Sequence, residues 1–281
     1  MKIDTITDNH MHLDPLNGMG LEAAKRFQRA GGTCLFLVNK MSGDYGIQVR
    51  GAGDFEAVFD RTIALKERIS RETGLTVFAV VGVHPAEFAG LCKDRGVEEA
   101  LEISKKAVEL AGERVAEGRA TALGEMGRPH FEVEAEVFEA SNLLLEHAMA
   151  VARDVGCAIQ IHAESSSEAL FEDLSRMAKK TGLNPEKVVK HFSGPQVALA
   201  ETYGIMPSVL SAYENIRAAI GEGMRFLMES DYIDDNRRPG AVLGPKNVPR
   251  TTLKLVEEAL ITAEDAAKIH RDNVEETYGV E

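Results

Sequence analysis

The chain has no tryptophan, 6% aromatic residues and three cysteines among 281 residues. Cys34, Cys92 and Cys157 are odd in number and far apart, with no CxxC pair, so a disulfide scaffold and a zinc finger are excluded and reduced, buried thiols are expected. No apolar run approaches the roughly 20 residues of a membrane helix. The opening MKIDTITDNHMH lacks the apolar stretch of a signal segment, so a cytoplasmic protein with no membrane partner is expected. Basic charge is also in short supply: the formal net charge is −13, which repels polyanions. Stable duplex binding is not expected, and so few aromatics leave no stacking face for single strands.

What is present matches a folded enzyme-sized body. Hydrophobic residues make up 44% and charged residues 27%, near globular averages. The length suits one (β/α)8 barrel, typically about 250 residues, and no repeat, low-complexity tract or Pro-rich linker divides it, so residues 1–281 are read as a single domain. Short apolar runs ending in polar residues alternate with stretches of helical period. Eight strands are expected: Thr5 to His10, Thr33 to Val38, Thr76 to Val83, Ala120 to Glu125, Cys157 to His162, Val188 to His191, Gly204 to Pro207 and Arg225 to Glu229. Helical patterns such as Asp54 to Glu72 and Glu132 to Val155 fall between them. Past the eighth strand, Leu253 to Asn273 is read as additional C-terminal helix, with Thr262-Ala263-Glu264-Asp265 as a capped entry. The loop from Asn39 to Gly53, with four glycines, Lys40 and Arg50, reads either as a lid over the barrel mouth or as a plain surface loop.

The chemistry gathers at strand ends. Asp8-Asn9-His10-Met11-His12 places two imidazoles on one face of an extended segment, where they can grip one metal ion. Taken alone, an HxH pair reads equally well as two ordinary polar residues. Glu125 ends ATALGE, His162 ends CAIQIH, His191 ends VVKH and Asp231 follows RFLMES. The steps from Glu125 to His162 and from His162 to His191 are 37 and 29 residues, near one βα unit each. In a closed barrel all six converge on the carboxyl face, where barrel enzymes build their sites. Two divalent ions are therefore expected on His10, His12, Glu125, His162, His191 and Asp231. Mixed imidazole and carboxylate donors favour zinc, with manganese, iron, nickel or magnesium as alternatives. Such a pair of ions lowers the pKa of a water towards neutrality and neutralises charge on entering and leaving oxygens. Asp231 is expected to ligate and also to take the proton of the attacking water.

These residues carry a family resemblance. The segments DNHMHLD, VGVHP around His84, LGEMG around Glu125, IQIHAE around His162, KHFSG around His191, ESD at Asp231 and PKNVPR resemble, in order and spacing, the TatD-related metal-dependent hydrolases of the amidohydrolase-like barrels, over nearly the whole length. The resemblance implies that the same six residues are ligands and that Glu125 bridges the two ions, where other barrels of this kind use a carboxylated lysine. One departure stands out. Family members often read GExGLDxY at the bridging glutamate, whereas this chain reads Gly124-Glu125-Met126-Gly127-Arg128-Pro129-His130-Phe131, which is similar to an archaeal-type side branch.

For substrate contacts, His84 and His130 are candidates to hold a phosphate oxygen or protonate a leaving group, or else to hydrogen-bond to a ligand. Arg128, Arg237 and Arg238 offer guanidinium forks for phosphate, or, for the last two, surface pairing with Asp234 and Asp235. His147 and His270 fall in helices and are read as outer-ring residues. Ser193 is read as the cap of the following helix, and Asn247 and Pro249 as loop-shaping residues. The expected activity is metal-assisted hydrolysis of a phosphodiester, with a small phosphate-containing molecule or a nucleic-acid end as substrate. Hydrolysis of an amide, lactone or other carbonyl compound is the alternative, and a non-catalytic metal-binding module the third reading.

Overall fold

The structure is a computed structural model that describes residues 3–280. Parallel strands Thr7–His12 (β1), Cys34–Val38 (β2), Thr76–Val81 (β3), Ala122–Gly127 (β4), Ala158–His162 (β5), Val188–Ser193 (β6), Met206–Leu210 (β7) and Leu227–Glu229 (β8) pair in sequential order, and a ninth short strand, Tyr232–Ile233 (β9), pairs with β1. β8 and β9 are two halves of one eighth strand. The first half pairs with β7 at Ser208↔Leu227 to Leu210↔Glu229, and the second pairs with β1 at Met11↔Tyr232 and His12↔Ile233. Asp231 N–H donates to the His10 carbonyl and Asp234 N–H to the His12 carbonyl, both at 3.0 Å. The sheet thus curls back on its own first strand, as an α/β barrel requires.

The eight expected strands are all present. The main differences are that β1 runs on to His12, that β7 begins two residues later and reaches Leu210, and that the eighth breaks at Ser230-Asp231. Their runs are apolar on both faces because the interior is packed and helices cover the outside. The helices are Leu21–Arg29 (α1), Asp54–Thr73 (α2), Pro85–Arg95 (α3), Val97–Ala116 (α4), Ala135–Val155 (α5), Glu168–Thr181 (α6), Val197–Thr202 (α7) and Tyr213–Glu222 (α8), with a C-terminal group Asn247–Glu257 (α9), Ala263–Ala267 (α10) and Asn273–Tyr278 (α11). A turn of π-helix, Lys268–Asp272, joins the last two.

The C-terminal stretch is not one helix. It stops at Glu257, turns through Ala259 at φ 55°, and restarts at α10 with a capping box in which Thr262 Oγ1 accepts from Asp265 N–H and the Asp265 carboxylate accepts from Thr262 N–H. Asn247 and Pro249 open α9 rather than lying in a loop. α11 closes the amino-terminal end of the barrel. There Val274 and Tyr278 join Phe36, Val80, Ala122, Ala158, Val189, Met206 and Leu227 in one buried cluster, with the Tyr278 and Phe36 rings 4.2 Å apart.

The loop after β2 is pinned at its root. Lys40 Nζ lies 2.8 Å from Asp14 Oδ2, Ser42–Tyr45 forms a 3₁₀ turn, the Tyr45 ring is buried, and Asn17 Nδ2 and Arg61 Nη1 donate to the carbonyls of Asp44 and Tyr45.

Candidate metal centre

The six expected ligands come from β1, β4, β5, β6 and the gap between β8 and β9. Three of those strands depart from regular pairing at the ligand itself. Between Asp8 and Met11 of β1, Leu123 and Met126 of β4, and Lys190 and Ser193 of β6, one extra residue is inserted relative to the neighbouring strand. A bulge lets two successive side chains face inward. In β1 both Asn9 and His10 do so: Asn9 Nδ2 reaches Ser208 Oγ at 3.0 Å and His10 Nδ1 reaches Gln160 Oε1 at 2.7 Å. Asp231 sits at φ 45° in the left-handed region, which turns its carboxylate toward the mouth; aspartate tolerates that conformation better than most residues.

The groups meet. Glu125 Oε2 lies 3.6 Å from His10 Nε2 and 3.5 Å from His12 Nε2, and Asp231 Oδ1 lies 3.9 and 3.8 Å from the same two nitrogens. Glu125 Oε1 lies 3.3 Å from His191 Nε2 and pairs with His162 Nδ1. Glu125 therefore points one oxygen at each half of the cluster. All six expected ligands except His162 are buried, and His162 is half-buried.

The protonation pattern tests whether cations fit here. His12 Nδ1 is 3.2 Å from the Val38 carbonyl and His10 Nδ1 faces the Gln160 amide oxygen. Both partners only accept, so both Nδ1 atoms carry hydrogen, which in the neutral rings leaves both Nε2 atoms bare. Those two bare nitrogens face each other across 3.0 Å. Two lone pairs at that distance repel unless a proton or a metal cation lies between them, and a divalent ion meets that requirement while also suiting the adjacent carboxylates. The donor set satisfies the metal.

Charge in the site follows the same logic. Burial pushes the Glu125 carboxyl up, but the surrounding imidazoles, His84 and His191 foremost, outweigh it and hold the group well below the usual carboxylate range. Burial, with Glu125 and Glu229 adding to it and His12 opposing, pushes Asp231 up to about 8. Burial and the nearby His10 hold His191 well below an ordinary imidazole.

The substrate-contact candidates separate. His84 caps α3: its Nδ1 accepts from Ala86 N–H at 3.0 Å, so its Nε2 carries the hydrogen and faces Glu125 Oε1 at 3.7 Å. Burial brings its pKa down to about 4, so it is a neutral ring beside Glu125, too far away for a direct hydrogen bond. His130 is exposed at the rim, with Nδ1 2.7 Å from His162 Nε2. A cleft of about 660 Å³ opens over His162, His191 and Asp231, walled by His130, Phe192 and Ser166 among others.

None of the three arginines lines that cleft. The Arg128 guanidinium is buried and spent on Glu164 and Asp173, at 2.7 Å each, with Asn142 as a further acceptor at 3.1 Å. Arg237 pairs with Asp235 at 2.9 Å and Asp44 at 3.4 Å, the surface alternative, and Arg238 is exposed. Ser193 does not cap α7; its hydroxyl meets Ser166 at 3.0 Å. His147 lies in α5 beside Glu109, and His270 is a buried residue at the foot of the barrel, bonded to Thr7 and Thr252.

Sequence reading missed Glu229. It is fully buried, with Oε1 3.0 Å from His191 Nδ1 and Oε2 accepting from the Ser208 hydroxyl. Its position two residues before Asp231 in a strand end was the available signal.

A family model described as TatD related DNase matches residues 7–279. The chain belongs to that family. An uncharacterized protein of Methanocaldococcus jannaschii is 44% identical over 278 residues, covering 98% of this chain and 96% of the relative. Among solved structures, YjjV, a TatD homolog from Escherichia coli K12, superposes with a TM-score of 0.70 at 20% identity over the full length of both chains. The phosphotriesterase homology protein of Escherichia coli, solved with phosphate in its active site, gives 0.66 at 13% identity over 99% of this chain and all of that one. At such identities these two show a shared fold. As a TatD-related chain, this protein is a metal-dependent hydrolase, and its clustered histidines and carboxylates suit divalent cations.

Proposed function

We propose that this TatD-related hydrolase cleaves phosphodiesters with two divalent ions, zinc foremost, held by His10, His12, Glu125, His162, His191 and Asp231. The pair of bare nitrogens 3.0 Å apart beside two carboxylates is the observation that carries the proposal. Manganese, iron, nickel or magnesium would satisfy the same donors less specifically. When bound, the ions supply Lewis acidity and bring a water within reach of ionisation at neutral pH.

The protein's own groups do the rest. Glu125 presents an oxygen to each half of the cluster, and the His84 ring stands 3.7 Å from one of them. Asp231, in its left-handed turn at the mouth, accepts the proton of the attacking water; burial makes it a stronger base than an ordinary carboxylate. His130 stands at the rim of the cleft and is placed to donate to a substrate oxygen. The half-exposed Phe192 offers an apolar wall beside His191.

The substrate class follows from charge. Among the described residues no lysine or arginine lines the cleft, and the chain carries −13 overall, so little besides the bound ions would neutralise a phosphate. A small phosphodiester or a nucleic-acid end, with its charge concentrated at one group, fits that better than a duplex. The phosphate found in the active site of the structurally similar Escherichia coli protein supports the phosphate reading. The same lack of guanidinium groups favours one competitor: a neutral amide or lactone, whose carbonyl the same ions would polarise.

Elemental analysis of the purified protein, followed by assay of it and of Asp231→Asn on phosphodiester, phosphomonoester, amide and lactone panels, tests the reading. Phosphodiester turnover that falls by about 10² to 10⁴ in Asp231→Asn is the expected result. Turnover of carbonyl compounds alone moves the assignment to the competitor. Near-normal turnover by a fully metallated Asp231→Asn removes the aspartate from proton transfer.

A further inference from the structure

Beneath the six ligands the barrel interior holds polar side chains that the chemistry above leaves unused. Gln160 on β5 is wholly buried. Its Nε2 donates to the Asn9 carbonyl at 3.0 Å and to the Tyr278 hydroxyl at 2.8 Å. A peptide carbonyl only accepts, so that end of the side chain is necessarily the nitrogen, and the oxygen is the end that faces His10 Nδ1 at 2.7 Å. One peptide oxygen thereby dictates where the His10 hydrogen sits.

From Tyr278 the hydrogen bonds continue in one direction. The hydroxyl accepts from Gln160, so its own hydrogen goes to Asn9 Oδ1 at 2.7 Å. Asn9 Nδ2 then faces Ser208 Oγ and donates at 3.0 Å, and the Ser208 hydroxyl donates to Glu229 Oε2. Glu229 Oε1 accepts from Phe192 N–H at 2.8 Å and lies 3.0 Å from His191 Nδ1. The chain of bonds begins under His10 and ends on Glu229, whose Oε1 is close to His191 Nδ1 without the alignment of a hydrogen bond, and the two rings stack 3.9 Å apart above it.

We infer that Gln160 and Tyr278 are positioning residues: a single ordered relay, Gln160–Tyr278–Asn9–Ser208–Glu229, holds hydrogen on Nδ1 of His10 by a direct bond and draws it to Nδ1 of His191 through the carboxylate 3.0 Å away, so that both Nε2 atoms turn toward the ions. The inference rests on the metal-centre reading above. It gives the C-terminal helix α11 a part in the site at the opposite end of the barrel. Reversing any member sets two donors or two acceptors face to face in a water-free interior, which costs more than an exposed mismatch.

Two measurements on the full-length protein decide it. The first is nitrogen NMR of the metal-free, histidine-labelled wild type, with His10 and His191 assigned by single substitutions. Both are expected with the hydrogen on Nδ1. The second is zinc affinity by competition with a chromophoric chelator. Gln160→Leu, which removes the acceptor under His10, is expected to weaken zinc binding by about tenfold to a hundredfold. Tyr278→Phe keeps the ring against Phe36 and removes only the hydroxyl, and it should weaken zinc in the same direction while mixing the tautomers of both histidines.

Wild-type His10 carrying its hydrogen on Nε2, or folded Leu and Phe variants that bind zinc as tightly as wild type, would overturn the relay. Should Gln160→Leu fail to fold, Tyr278→Phe and the wild-type spectrum decide. A wild type that takes up no zinc ends the metal-centre reading, and the two tautomers alone then judge the relay.

Discussion

Arg128 illustrates how far a side chain's partners can redirect its role. Next to Gly127 at the end of a ligand-bearing strand, it reads in sequence as a phosphate fork, yet its guanidinium is enclosed by Glu164, Asp173 and Asn142. Removing it leaves two carboxylates, both partly exposed, facing one another. Arg128→Met is therefore expected to cost about 2 kcal/mol of stability, less than a fully buried pair would, with kcat/KM changed under about threefold. Urea midpoints and steady-state kinetics check both parts. A rise in KM at unchanged midpoint would return the guanidinium to substrate binding.

His270 gives a pH dependence with a defined sign. It is fully buried, and burial, with a backbone bond to Thr7 opposing, brings its pKa down to about 4. In the unfolded chain an imidazole titrates near pH 6.5. Between these values the unfolded state binds the extra proton, so this histidine's contribution is whole above pH about 6.5 and is lost progressively as pH falls toward 4. The expected outcome is that His270→Gln loses less stability than wild type over that window, read as urea midpoints at each pH. Parallel decline of the two proteins would rule the group out.

At the level of strands and helices, the barrel was legible because apolar runs and helical periods alternate eight times, and each ligand ends a run. The capped entry at Thr262 was legible because a capping box is a local code. The bulges in β1, β4 and β6 were not, since inserting a residue is a matter of register between strands distant in sequence. For the same reason nothing in the sequence indicates that Asn9 and Gln160 touch. Arg128 was misjudged because its acidic partners arrive from other segments, whereas the pairing of Arg237 with Asp235 is local and was one of its two readings.

The bulge in β4 has a glycine behind it. Gly127 has φ +148°, and a Cβ there would lie 1.8 Å from the carbonyl oxygen of His162. That contact is backbone against backbone, so no rotamer relieves it. Gly127→Ala is expected to cost roughly 3 kcal/mol or more and to lower bound zinc per chain, since β4 and β5 carry Glu125 and His162. Thermal melts and elemental analysis together read it. An alanine variant with wild-type melting and full zinc would mean that the strands can part without disturbing the ligands.

The molecule as a whole carries −13, and that number acts at long range. An anionic body approaching a polyanion is repelled beyond contact, and added salt screens the repulsion over about 10 Å at 0.1 M. For an oligonucleotide, kcat/KM should therefore rise as ionic strength is raised from low values, while for a singly charged phosphodiester it should stay nearly flat. A steep fall with salt for the oligonucleotide would instead require a positively charged track outside the cleft.

The split eighth strand ties two events together. One half belongs to β7, the other to β1, and Asp231 stands in the gap with its amide held by the His10 carbonyl. Joining the last strand to the first thus brings in the proposed proton acceptor in the same motion. On that proposal a partly zipped chain with seven strands in order would possess every imidazole and still be inert, and catalytic competence would belong to the sealed cylinder.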